Sequence, residues 1–396
     1  MERLLILTHS DASTDSRIIK THEVCVVSGR QTLSIGVVDP EPGQISKSTK
    51  DVFLIKNRIR DFRDALAAKP KAGSFFSKLF FIAIYLELAI KMLTRGIAFR
   101  PQVIHCNDWF VLPIAAVIKF LTKSKLIYDA HELESQTTND PNFPSLFIER
   151  LERFLWPSID YLITVSPSIE TWYQRELGPK PSEVILNSPV FSSLSEIDNG
   201  KTDRGYFRKK YGLSDSTTIY LYIGMLSVGR GIEIILDAFD ATKTNSAVIF
   251  LGYGNYRERI ETQGLKSKNV FVHDRVPHGQ VVGIARNADF GLCLIENVSL
   301  SDYFCIPNKL LEYAFSGIPV VASKLPEIKR VVDEYQLGQC FGNSVEQLME
   351  VLTMNEKKPV VKRSNDKDLF PLSWEAQAIK LEAVLDEVTR LRTGVK

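Results

Sequence analysis

Short apolar runs, each closed by polar residues and followed by a helical pattern, recur along this chain in two separate series, and that alternation restricts the fold more than any other feature. Leu4 to Leu7 read as a first buried strand. A polar loop follows from Thr8 to Ser16, and a helix starts near Asp15 with Ile18, Ile19, His22, Cys25 and Val26 on its apolar stripe. Gly29 ends that helix, and Thr32 to Val38 form the next strand, so the chain opens as a doubly wound parallel sheet. Val52 to Ile55, Val103 to Cys106, Lys125 to Tyr128 and Tyr161 to Val165 continue the series, and Asn187-Ser188-Pro189 closes a seventh run. A second series follows at Thr218 to Ile223, Ala247 to Leu251, Val270 to His273, Asp289 to Leu294 and Pro319 to Ala322. Helices are expected between its strands from Ile232, Asn255, Gly279 and Asn308.

At 396 residues the chain is long for a single core. The expected organisation is a first α/β domain over 1–190, a linker over 191–204 and a second α/β domain over 205–370. A final helix within 371–396 carries Trp374, Ala378, Leu381, Leu385, Val388 and Leu391 on one side and is expected to cross back to the first domain. A net charge of +2 implies no strong attraction to nucleic acid. Five scattered cysteines without a Cys-x-x-Cys pair argue for a reducing compartment and against structural zinc. The amino terminus lacks a signal-peptide pattern, so a cytoplasmic protein is expected.

In such sheets ligands bind where strands end. That rule singles out Asn107 and Asp108, then Asp129, His131 and Glu132, in the first series. In the second, Gly224-Met-Leu-Ser-Val-Gly229-Arg230-Gly231 follows the first strand, bringing backbone and a guanidinium close to any ligand there. The stretch from Cys305 to Ser323 reads as loop, helix, turn and strand. Asn308 is expected to cap the helix, whose first-turn amides are left to face an anion, with Glu312 as the nearest carboxylate. A plain scaffold with Glu312 solvated or paired to Lys309 is the alternative for that stretch. Gly252-Tyr253-Gly254 follows an internal strand and shapes a turn, with a backbone able to border a nucleoside. No G-x-G-x-x-G follows the first strand. G-x-x-x-x-G-K-[ST], G-x-S-x-G and H-E-x-x-H are absent, which removes support for dehydrogenase, P-loop and hydrolase readings.

Taken together, the glycine-rich turn, Gly252-Tyr-Gly, Asn287-Ala-Asp and Asn308-Lys-Leu-Leu-Glu-Tyr-Ala-Phe-Ser-Gly-Ile-Pro-Val-Val-Ala-Ser resemble the retaining glycosyltransferases of GT-B fold, family 4. In the first series Asp15-Ser16-Arg17, Tyr128-Asp-Ala-His-Glu and Ser166-Pro-Ser resemble them too. The resemblance implies two Rossmann-like domains facing a cleft that closes over a nucleotide diphosphate sugar. The sugar then passes to an acceptor hydroxyl with retention, without a metal or other cofactor, in the synthesis of a surface polysaccharide or glycolipid. It places His131 and Arg230 in the catalytic site. Gly229, Arg230, Gly252, Asn308, Lys309 and Glu312 fall on the donor, whose base, UDP or GDP, is left open, and Arg17, Asn107 and Asp108 on the acceptor side. Two departures stand out: a glutamate usual eight residues before Glu312 falls on Phe304, and a second basic residue of the turn falls on Met225. Asp302 or backbone is open as the source of the missing sugar contact, and Lys309 as the source of the missing charge. These departures keep two other readings open, a sugar-nucleotide epimerase of the same fold and a degenerate transferase serving as a binding subunit.

The resemblance is poorest over 56–100. Between Lys47 and Arg100 twelve Lys and Arg stand against four Asp and Glu, around an apolar run from Phe75 to Leu86. The run falls short of the about 20 residues needed to span a bilayer. Peripheral contact with anionic lipid at the inner face of the membrane and burial against the sheet are both open for it.

Overall fold

The computed structural model describes residues 1–39, 45–65, 74–137, 145–190, 205–241, 243–356 and 366–393. The stretch expected as a linker, 191–204, lies outside the described residues. The chain divides into two compact units, Met1–Ile185 with Ala378–Lys396, and Leu186–Gln377.

In the first unit seven strands pair in parallel: β1 (Arg3–Leu7), β2 (Gln31–Val37), β3 (Val52–Ile55), β4 (Val103–Asn107), β5 (Lys125–Ala130), β6 (Tyr161–Thr164) and β7 (Ser182–Val184). Their order is β3-β2-β1-β4-β5-β6-β7. The winding therefore reverses between β1 and β4, and a crevice opens at the carboxyl ends of those two strands. Continuous burial of Leu4 to Leu7 and of Val103 to Asn107 is what a sheet covered on both faces requires. Asp15 caps the Ser16–Val27 helix, accepting from the amides of Arg17 and Ile18. The buried stripe of that helix is rotated from the one its apolar residues suggest: Arg17 and Lys20 are buried and Val26 is exposed. An ion pair turns Arg17 inward and decides the rotation.

The basic apolar segment forms one 25-residue helix, Phe75–Phe99, after a short Arg58–Asp64 helix. Only Leu88, Met92 and Gly96 are buried in it, whereas Phe75 is 76% exposed and Phe76, Leu79, Ile82, Leu86 and Ile90 are exposed too. Phe81 and Tyr85 pack edge-on against Phe110 at ring distances of 6.0 and 5.2 Å. Among the described residues no helix is long and apolar enough to cross a membrane.

In the second unit β8 (Thr218–Ile223), β9 (Ser246–Leu251), β10 (Val270–His273), β11 (Phe290–Cys293), β12 (Val320–Ser323) and β13 (Gly338–Phe341) form a parallel sheet ordered β10-β9-β8-β11-β12-β13. Here the winding reverses between β8 and β11. The edge strand β13 has no counterpart in the sequence reading. Its core joins Tyr220, Tyr222, Phe239, Phe250 and Leu292 between sheet and helices. The last helix, Trp374–Thr393, buries Leu381, Val384, Leu385 and Val388 and exposes Leu391. From Ala378 onward it belongs to the first unit.

Candidate functional site

The reversal point of the second sheet gathers the charges singled out in the sequence. The Asn308–Ser316 helix starts beside it and is fixed by one side chain, Tyr313. Its hydroxyl accepts from the Ile223 amide at 2.8 Å and donates to the Leu221 carbonyl at 2.9 Å, and its ring occupies the space that Gly291 leaves open in β11. Asn308 is not the cap: Pro307 takes that position, no side chain among the described residues caps the helix, and Asn308 is its first residue. Proline offers no acceptor side chain, so the first-turn amides keep their partial positive charge. Gly317 ends the helix at φ 72°.

Lys309, 8% exposed, projects from that first turn over the Tyr222 ring, with Nζ 3.7 Å from its centroid. Nζ has no hydrogen-bond partner among the described residues, which rules out the pairing with Glu312. It lies 3.7 Å from where a Cβ on Gly224 would stand. The Tyr222 hydroxyl in turn donates to the Met225 carbonyl, so one tyrosine orients both the lysine and the turn whose own basic residue is missing. An unpaired buried ammonium is costly, and a bound anion is what would offset that cost.

Arg230, by contrast, is engaged. Its Nη1 donates to Asp302 Oδ1 at 2.9 Å. The turn that carries it runs through Gly229 and Gly231 at φ 80° and 69°, where a side chain would be strained. The Gly231 amide donates to Glu296 and the Glu296 amide to the Gly229 carbonyl. Gly252 braces the turn from β9: a Cβ there would stand 1.9 Å from the Gly224 carbonyl oxygen, so its role is close packing of two strand ends. Phe304 ends the short Leu300–Tyr303 helix with its ring against Tyr303, and brings no carboxylate to the site.

Glu312 is buried, and His278 Nδ1 stands 3.9 Å from its Oε1. Nothing in the residues flanking His278 signals that the Val281–Ala285 and Asn308–Ser316 helices pack together. His273 ends β10 and pairs with the Tyr206 hydroxyl at 2.8 Å. Burial pushes the Cys293 thiol at the end of β11 up to about 12, and the charges of Lys309, Glu312 and Arg230 all reach it. These three predicted residues therefore surround one strand end.

In the first unit the reversal point holds a second cluster. Asp129 on β5 accepts from Arg17 at 3.1 and 2.7 Å and from His105 Nε2 at 2.9 Å. Burial raises its pKa, but Arg17 and the histidines outweigh burial and hold the carboxyl well below the usual range. Arg17 donates its remaining Nη1 to the Ile185 carbonyl and is 4% exposed, so it is an interior tie rather than a group facing an acceptor. Asn107 is likewise interior, donating to the Leu7 carbonyl. Asp108 has φ 69°, an unfavourable conformation for aspartate, and stands 3.4 Å from His131 Nδ1 and 3.5 Å from His9 Nδ1. Burial lowers the His131 pKa, but Asp108 and Asp129 together raise it above its ordinary value. Burial first, and then the Asp108 charge, also push the Glu134 carboxyl well above its usual range. His9 and Glu134 were not legible as members of this cluster, although both lie within a few residues of a strand end.

Two family models match the chain, "Glycosyltransferase Family 4" over residues 51–188 and "Glycosyl transferases group 1" over 217–353. The chain is 24% identical over 315 residues to a chitobiosyldiphosphodolichol beta-mannosyltransferase of Kluyveromyces lactis, covering 69% of this chain and 68% of that protein. It is 21% identical over 271 residues to TuaC of Bacillus subtilis, a putative teichuronic acid biosynthesis glycosyltransferase, covering 68% and 65%. Among solved structures, sucrose-phosphate synthase from Thermosynechococcus elongatus superposes with a TM-score of 0.72 at 15% identity, over 98% of this chain and 99% of that one. Anabaena HepE, in complex with UDP and glucose, superposes with a TM-score of 0.69 at 14% identity, over 98% and 100%. These superpositions give the two parallel sheets the GT-B fold. With family models matching in both units, the chain belongs to the group 1, family 4 glycosyltransferases.

Proposed function

We propose that this glycosyltransferase takes its sugar from a nucleoside diphosphate sugar and transfers it to an acceptor hydroxyl with retention and without a metal. The observation that carries the reading is Lys309, a buried ammonium without a hydrogen-bond partner among the described residues, set at the start of an uncapped helix beside the glycine-rich turn. Breaking a glycosyl-phosphate bond builds negative charge on the departing diphosphate, and fixed cations and amides stabilise it without rearranging. Lys309, Arg230 and the amides of Asn308 and Lys309 fill that role, and Glu312 accepts the ribose hydroxyls. In the first unit, His131 and Asp108 serve the transferred sugar and the acceptor. The HepE complex makes UDP the first probe, with GDP beside it.

The test is Lys309→Met, close in volume and uncharged. A donor-binding lysine predicts weaker nucleotide affinity by about 10- to 100-fold, the worth of one charge-assisted hydrogen bond. It also predicts a ligand-free protein no less stable than the wild type, since the buried charge is gone. Calorimetry and thermal unfolding read the two quantities, and loss of stability with unchanged affinity would make Lys309 structural. Turnover of donor without acceptor would favour the epimerase reading, and the anomeric configuration of the product reads retention.

A lipid-linked acceptor is the second part of the proposal. The exposed apolar face of the Phe75–Phe99 helix and the local basic excess suit a peripheral contact with anionic lipid. The same helix packs Phe81 and Tyr85 on Phe110, whose ring is 5.5 Å from that of His9.

A further inference from the structure

We infer that Asp302 discriminates the sugar-bearing donor from the spent diphosphate, its carboxylate accepting sugar hydroxyls once a diphosphate has drawn Arg230 away from it. The inference rests on the donor-binding reading above.

Asp302 is held from two sides. Arg230 Nη1 donates to Oδ1 at 2.9 Å, while Ser299 Oγ donates to Oδ2 at 2.6 Å and accepts from the Asp302 amide at 3.0 Å. The serine anchor belongs to the turn that carries Asp302, so the carboxylate keeps its orientation when the arginine leaves. The two side chains are 34% and 17% exposed, which leaves the pair open to a solute rather than sealed in the core.

A diphosphate offers Arg230 more charge and two oxygens in the geometry its fork prefers, so it competes with a lone carboxylate. Exchange leaves Asp302 Oδ1 without its donor, within about one ion-pair length of a phosphate oxygen. With a bare nucleoside diphosphate the carboxylate then faces an anion and opposes binding. With a sugar attached, ring hydroxyls lie next to the phosphate and can donate to it. One residue thereby favours the loaded donor and speeds release of the product diphosphate.

The experiment is calorimetry on wild type and Asp302→Asn with UDP and GDP, and with the glucose, galactose, mannose and N-acetylglucosamine conjugates of whichever binds. Asp302→Asn is expected to bind the bare diphosphate several-fold more tightly, and to lose about tenfold of the wild-type ratio of sugar-form to bare-form affinity. Equal weakening of both forms would mean that Asp302 only positions Arg230, and an unchanged ratio would mean that it touches neither ligand; either overturns the inference. Asp302→Glu keeps the charge and is expected to keep the weak diphosphate affinity while changing the preferred sugar, which holds the test open should the asparagine variant misfold. A wild type that binds neither UDP nor GDP overturns the donor reading itself, a result separable from the other two.

Discussion

Glu152 is the buried acid whose charge state is most clearly tied to pH. It receives hydrogen bonds from Tyr128 and Tyr173, both at 2.7 Å, and burial raises its pKa from 4.5 to about 7. Between those values the unfolded chain releases the proton and the folded chain keeps it. The stability this group contributes is therefore present below 4.5 and lost as pH rises to about 7. His131, also raised, acts in the same sense above 6.5, whereas Asp129, held low, loses its contribution only as pH falls below 3.8. The first unit is expected to unfold at a higher temperature at pH 5 than at pH 8, and Glu152→Gln to flatten that difference, read by circular dichroism across the range. At this scale the sequence is a partial guide. It marks residues that carry charge at strand ends, such as Arg230, Lys309 and His131. It does not say whom each one meets, because Asp302, His278 and Tyr313 become neighbours only through the order of the strands.

Two helices show how far periodicity reaches. The Asn308–Ser316 helix was legible to within a residue at its start and at its end, since its proline, glycine and β-branched successors punctuate it. The Phe75–Phe99 helix was not, because it is apolar on more than one face and spacing cannot say which face meets the sheet. The structure gives that part to Leu88, Met92 and Gly96, and leaves Phe75, Leu79, Ile82, Leu86 and Ile90 outside. Making Leu79, Ile82 and Leu86 polar is expected to abolish flotation with liposomes rich in anionic lipid without loss of helix content. Co-flotation equal to wild type would remove the membrane contact. Phe81 is unsuited to that test because it packs on Phe110.

Both units share one winding, with reversal between the first strand and the fourth of each sheet. Alternation of strand and helix announced that architecture, and the short edge strand Gly338–Phe341 escaped notice because Gly-Gln-Cys-Phe carries too few apolar residues to stand out. The donor candidates all lie within Leu186–Gln377. Nucleotide is therefore expected to slow limited proteolysis of that unit more than of the first, and equal protection of both, or of neither, would count against a donor site confined there. Lys309 gives this a physiological edge. A buried ammonium without a hydrogen-bond partner among the described residues costs the ligand-free fold stability, so an anion that binds beside it is expected to lengthen the lifetime of the folded chain.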